Sequence, residues 1–479
     1  MNVFVILTNL FAVLSCLHAE PLKYVHHHAE PQQEWSYVDV REGAHMFYWL
    51  YYTTAPGGFH QAPLVMWLQG GPGGSGTGFG NFEEIGPLDV QQNPRNTTWL
   101  QAASLLFVDN PVGTGYSYVD NKEAYTHDVA GIAADMMVTL HTFFMIKSTQ
   151  FQEVPFYIFS ESYGGKMTAA ISQALYQHIQ AGDIKCNFKG LAMGDSWISP
   201  IDSTATWAPY LYANSLIDQS GNTSITNSVK KITELIADGQ WDKATSQWGS
   251  TQTVVELATN GVNFYNILKW GQEGKSSMFA SKDGLSSRVL SRLHQDDLAE
   301  LMNGKIKKKL GIIPDSVEWG AQSGEVFATQ SGDFMKPVVD IENDVIYLRM
   351  IYQSENDVIY LRMMYVSEND SVITRCHCIS GTEEWMSRLT VADLFRDAEH
   401  KPILDPVTKL TSGFVKKAKN FSFYWILNAG HMVPSDNGDM CSQVLSDNSA
   451  VTFLLSVFRC HQIMVILHSF YLQVPPDKG

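Results

Sequence analysis

Phe156-Tyr-Ile-Phe-Ser-Glu-Ser162-Tyr-Gly-Gly-Lys166 is the stretch that decides the fold. An apolar run over 156–159 stops abruptly, a small residue stands two places before Ser162, and glycines stand two and three places after it. A helical pattern then begins. A chain that passes this sharply from strand to helix needs small side chains around the turn, and the turn lifts the central hydroxyl above the strand end. This is a nucleophile elbow with Ser162 at its tip. An ordinary strand-to-helix turn has the same outline, so the flanking segments must decide between the two.

Upstream, Leu64-Val-Met-Trp67-Leu-Gln69-Gly70-Gly71-Pro-Gly-Gly74 is a strand running into a glycine-rich loop. Acyl transfer needs two backbone N–H groups aimed at a developing oxyanion, and glycines let the backbone come close. Gly71 and Tyr163, the residue directly after the nucleophile, are the expected donors. A phosphate loop is the rival, but no Gly-Lys-Ser/Thr follows. Downstream, Phe421-Ser-Phe-Tyr-Trp-Ile-Leu-Asn-Ala-Gly-His431-Met432-Val-Pro434 takes another strand into a loop that presents His431. A loop at a strand end can bring an imidazole to the serine hydroxyl as general base. The order of nucleophile and then distant histidine is that of the α/β-hydrolases.

The rest of the chain agrees. Up to about residue 200, short apolar runs alternate with glycine-rich turns and longer helical stretches, the pattern of α/β architecture. Strands are expected over 46–52, 64–68, 105–108 and 156–159, and a helix from 128 to about 144. From about 201 to 332 the pattern becomes helical and polar, as for an insertion that caps the sheet. The expected fold is therefore a central, mostly parallel sheet flanked by helices, with a helical cap.

Composition narrows the function. The 479 residues carry 33 basic and 49 acidic side chains, a formal charge of −16, which argues against a nucleic-acid partner, since that requires a concentrated basic surface. Residues 1–19 read as a secretory signal peptide: an apolar stretch ending in small residues, with cleavage after Ala19. Sequons at Asn96, Asn222, Asn369 and Asn420 fit export and glycosylation. His26-His-His28 reads as a solvated tail. Without Cys16 five cysteines remain, an odd number, so this is no disulfide scaffold. Cys376-His-Cys378 lacks a second ligand pair, so no metal is expected. The apolar tail is broken by Arg459, His461 and Gln462, which argues against a membrane anchor.

Trp-Leu-Gln-Gly-Gly-Pro-Gly at 67–73, Ser-Glu-Ser-Tyr-Gly-Gly-Lys at 160–166 and Ala-Gly-His-Met-Val-Pro at 429–434 resemble the three signatures of the serine carboxypeptidases. The resemblance covers roughly 35–340 and 381–440, and leaves 441–479 as a departing tail. It implies an enzyme that removes single residues from peptide C-termini at acidic pH, secreted or lysosomal, with no cofactor. It further implies that Trp67, Gln69, Gly70 and Glu161 hold the substrate's terminal carboxylate. Met432 would then line the pocket of the leaving residue. A glutamate facing that carboxylate would have to share a proton with it, which explains an acidic optimum.

One segment, 342–380, breaks the pattern. Glu342-Asn-Asp-Val-Ile-Tyr-Leu-Arg-Met recurs letter for letter from Glu355 to Met363, and Glu368-Asn-Asp370 opens a third copy. It reads either as a duplicated stretch of DNA translated into protein or as real β-strands. By the resemblance, the triad's acid and its strand belong here, ahead of Gly381-Thr-Glu-Glu-Trp385, and the expected offset falls on Thr374. Asp370 is the nearest carboxylate; Asp344 and Asp357 are further away. Loss of the acid would cost about 10⁴-fold in turnover, roughly 5–6 kcal/mol. Two other readings therefore remain open: a non-catalytic peptide binder, and an esterase or acyltransferase on the same fold.

Overall fold

The computed structural model describes residues 31–269, 295–338, 360–367, 398–405, 407–418 and 421–447. The expected signal peptide, His26 to His28, Asn369, Asn420, Cys376 to Cys378, Gly381 to Trp385, Thr374, Asp344, Asp357, Asp370 and the tail beyond 447 lie outside the described residues.

Among the described residues eleven strands form one sheet: β1 (Gln33–Arg41), β2 (Ala44–Tyr51), β3 (Leu64–Leu68), β4 (Ser104–Val108), β5 (Tyr118–Val119), β6 (Pro155–Glu161), β7 (Asn187–Gly194), β8 (Tyr360–Ser367), β9 (Lys401–Leu404), β10 (Thr411–Ala418) and β11 (Phe421–Ile426). Their order is β1-β2-β4-β3-β6-β7-β8-β11-β10-β9, with β5 beside β2. The central run from β4 to β11 is parallel, and the flanking pairs are antiparallel. This is the α/β-hydrolase arrangement the sequence leads one to expect. Strand β6, which leads into Ser162, lies at its middle.

Central strands are buried on both faces, so they read as continuous apolar runs without polar alternation. Met66 of β3, Leu106 of β4 and Ile158 of β6 pack on one side; Trp67, Phe107 and Phe159 pack on the other. On the first side lie α1 (Val129–Ile146) and α2 (Tyr163–Ala181). Asp128 caps α1 by accepting the Gly131 N–H at 2.8 Å, and Gly182, at φ +82°, ends α2 in the left-handed region. Helix α1 is the one described segment long and apolar enough to cross a membrane, and it spends Ile132, Met136, Leu140 and Phe143 on this core.

Between β7 and β8 the described elements are helical: α3 (Pro200–Ala205), α4 (Trp207–Ala213), α5 (Gln219–Ala237), α6 (Trp241–Ala258), α7 (Gln295–Leu301), α8 (Ser323–Thr329) and α9 (Ser331–Phe334) among them. Helix α10 (Gly438–Asp447) follows the last strand. It buries Cys441, Val444 and Leu445 in the second core, so the chain stays part of the fold past residue 440.

The anomalous segment contributes a strand: β8 begins inside the second copy of the repeat and bonds in parallel to β7 on one side and β11 on the other. Its sequence, Tyr-Leu-Arg-Met-Met-Tyr-Val-Ser, is rich enough in aromatic and aliphatic residues for a central strand.

Candidate active site

Ser162 joins β6 to α2 with φ +59° and ψ −127°, a conformation L-residues avoid. Its surroundings hold it there. The Ser162 N–H donates to the Gly194 carbonyl at 2.9 Å, while its carbonyl accepts from Trp197 at 2.9 Å and Gly165 at 3.0 Å. Gly70 makes the opposite wall. A Cβ at that position would stand 2.5 Å from the Ser162 Cβ and 2.9 Å from the Tyr163 nitrogen, so only glycine allows this approach.

His431 follows β11 in a loop fixed from two sides. Its N–H donates to the Tyr265 carbonyl at 2.8 Å, and the preceding Gly430 N–H donates to Asp436 Oδ2 at 2.7 Å. The imidazole is buried, which pushes its pKa below the ordinary histidine value; the charges of Asp195, Glu84 and Asp436 act in the opposite direction. A buried base of this kind stays unprotonated into mildly acidic solution.

Ser162 and His431 line one cleft, and with them stand Gly70, Gly71, Tyr163, Gln69, Glu161 and Met432. Nearly every residue singled out in the sequence for chemistry or substrate binding thus meets here. Trp67 is the exception. It lies fully buried behind the cleft, where its indole donates to Gln69 Oε1 at 2.8 Å. That bond turns the Gln69 amide so that Nε2 donates to Glu161 Oε1 at 3.0 Å. Trp67 therefore orients the amide and does not face the cleft.

Sequence reasoning missed a second carboxylate. Glu84, at the end of the π-helical segment Gly76–Ile85, is buried beside Glu161 and Gln69. Burial pushes its pKa up to about 7, against the opposing pull of Glu161, Gln69, His431 and Arg95. Neighbouring Glu83 is likewise raised to about 7 by burial and by the charge of Glu84. Two adjacent glutamates inside a glycine-rich apolar segment were the available signal. Trp197, Trp248, Tyr265 and Phe334 complete the cleft. Their separation in the sequence hid them.

Of the sequons described, Asn96 is exposed, whereas Asn222 is half-buried in the first turn of α5. Among the described residues no group of three His, Cys, Asp or Glu side chains is placed to hold a metal ion.

With this geometry in place, the serine carboxypeptidase family profile matches residues 24–448. The chain belongs to the serine carboxypeptidase family. The match takes in the repeat and the whole of α10, a wider span than the sequence signatures alone suggest. Retinoid-inducible serine carboxypeptidase of Mus musculus is 49% identical over 430 residues, covering 87% of this chain and 91% of the mouse protein. The Homo sapiens protein of that name is 48% identical over 430 residues, with the same coverage. Serine carboxypeptidase-like 51 of Arabidopsis thaliana is 36% identical over 456 residues, covering 90% of this chain and 95% of its own. The crystal structure of Kex1(delta)p, a prohormone-processing carboxypeptidase from Saccharomyces cerevisiae, superposes with a TM-score of 0.70 at 21% identity, over 88% of this chain and 91% of that one. By family and relatives the protein is a serine-type carboxypeptidase, and the family implies peptide substrates.

Proposed function

We propose that the protein releases single residues from peptide C-termini at acidic pH through an acyl-enzyme on Ser162. The observation that carries this reading is the hydrogen-bonded chain Trp67–Gln69–Glu161, with Glu84 behind it, ending in the cleft that holds Ser162 and His431. A peptide's terminal carboxylate placed against Glu161 needs a shared proton, and Glu84 adds a further acid to that set. With the carboxylate held there by Gln69, Glu161 and the Gly70 N–H, the last peptide bond falls to Ser162.

In the proposed reaction His431 takes the Ser162 hydroxyl proton as the oxygen attacks the carbonyl carbon. The Gly71 and Tyr163 N–H groups receive the oxyanion. Collapse breaks the C–N bond, and His431 returns the proton to the departing amine. Water then enters, gives a proton to His431, and splits the ester to restore the Ser162 hydroxyl. For the triad acid we assign Asp370, which follows the last residue of β8 by three positions in the sequence. No metal or organic cofactor enters any step.

A secreted or lysosomal place is part of this reading, supported by the apolar leader at 1–19 and the exposed Asn96 sequon. The experiment is leucine release from a blocked dipeptide at pH 5, with labelling by a fluorophosphonate. Release and labelling abolished together by Ser162→Ala support the reading. A labelled protein that releases nothing favours the binder.

A further inference from the structure

Lys166, four residues after the nucleophile, is wholly buried. Its ammonium lies 3.2 Å from Asp333 Oδ2 and donates to the main-chain carbonyls of Asp333 and Phe334, the latter at 3.5 Å. Asp333 and Phe334 end α9 of the cap. Asp333 Oδ2 also accepts the Val129 N–H at 3.3 Å, at the start of α1, and Lys336 stands 3.8 Å from Oδ1. One buried cation on the nucleophile helix thus grips the cap at the residue next to Phe334.

The Phe334 ring lies parallel to that of Tyr163, centroids 5.6 Å apart and planes 3° apart. It also contacts Trp248 at 4.7 Å and Trp197 at 5.7 Å, and the two tryptophans meet at 5.5 Å. All four rings line the cleft beside Ser162. The Trp248 indole N–H is buried without an acceptor among the described residues, so the face it gives to the cleft is its apolar ring. A buried ion pair stabilises a fold little more than apolar residues of the same volume would. Its directional bonds, by contrast, fix where the next side chain stands.

We infer that Lys166 is a positioning residue for substrate selection, holding Phe334 through Asp333 so that Phe334, Trp197, Trp248 and Tyr163 accept a flat apolar side chain on the acyl side of the scissile bond. The clamp and Met432 serve the leaving residue, which leaves this wall for the residue whose carbonyl is attacked. The inference rests on the carboxypeptidase reading for its direction along the peptide.

The test uses the full chain and two blocked dipeptides, benzyloxycarbonyl-Phe-Leu and benzyloxycarbonyl-Ala-Leu. Leucine release is measured on the active enzyme, and binding by tryptophan fluorescence on Ser162→Ala. The unaltered chain should favour the Phe peptide by about tenfold or more in kcat/KM, the scale on which an apolar pocket discriminates. Phe334→Ala should bring the ratio near one, chiefly through KM. Lys166→Met with Asp333→Leu, an apolar replacement of the pair, should do the same while Ser162 still reacts with a fluorophosphonate. If that double variant does not fold, Asp333→Asn carries the test. An unchanged ratio in a folded, titratable variant overturns the inference, even if its melting temperature falls. A preference for Phe in binding, with no leucine released by the unaltered chain, retains the wall and overturns the carboxypeptidase reading. Equal release from both peptides does the reverse.

Discussion

The side-chain amide of Gln69 donates to Glu161 Oε1 over 3.0 Å, tying the end of β3 to the residue before Ser162. Trp67 fixes the amide's other end, and Glu84 joins from the neighbouring π-helical segment. On the proposed reading, recognition of a carboxylate and placement of the nucleophile are thereby one structural unit.

Peptide hydrolysis should lose affinity as pH rises through about 7, where Glu84, raised by burial, ionises beside Glu161. Glu161→Gln should flatten that limb in KM for peptides with a free C-terminus. Esters without a carboxylate should show the same pH profile in both proteins. A pH series of KM on the two substrate types checks this.

Stability should follow the same groups. Glu83 and Glu84 have pKa values near 7 in the fold against about 4.5 when unfolded, so between those values the folded chain binds more protons. Their contribution is therefore most favourable below about pH 4.5 and is lost as pH rises to about 7. Urea midpoints measured between pH 4.5 and 7.5 should fall less with pH in Glu84→Gln than in the unaltered chain.

Gly70→Ala should disable the site. The added methyl meets the Ser162 Cβ at 2.5 Å and the Tyr163 nitrogen at 2.9 Å, the proposed oxyanion donor, which it would displace. Loss of one such donor lowers kcat by about 10²–10³-fold. Single-turnover acylation measures it.

Asp370→Asn should lower kcat by about 10⁴-fold, the cost of leaving an imidazole without its acid. Asp344→Asn and Asp357→Asn should leave it within a few-fold. Substrate turnover by the three variants, each titrated with a fluorophosphonate, decides the assignment.

Much of this was legible in the sequence because the chemistry is local. The elbow at Ser162, the glycines at 70 and 71 and the loop at His431 each sit within one short motif, and the apolar runs at 64–68 and 156–159 mark central strands. Glu84 was not legible, since its role depends on a π-helical segment that turns it toward Glu161 from 77 positions away. The wall of Trp197, Trp248 and Phe334 was hidden for the same reason: the cap assembles it from three separate segments. Trp67 carried the right motif, but its side chain points behind the amide, an orientation the motif does not encode. Residues 360–363 close the second copy of the repeat, which the sequence left open between duplicated DNA and real strands, and the composition of 360–367 suits the central place that β8 takes.

The central claim is that Ser162 cleaves peptides held by their terminal carboxylate. The most direct measurement compares, at pH 5, an N-blocked dipeptide with a free C-terminus and its C-terminal amide. The account predicts that the free acid loses its last residue, that the amide reacts at least about tenfold more slowly in kcat/KM, and that Ser162→Ala acts on neither. Equal rates on the two, or binding of the acid without release, would contradict it.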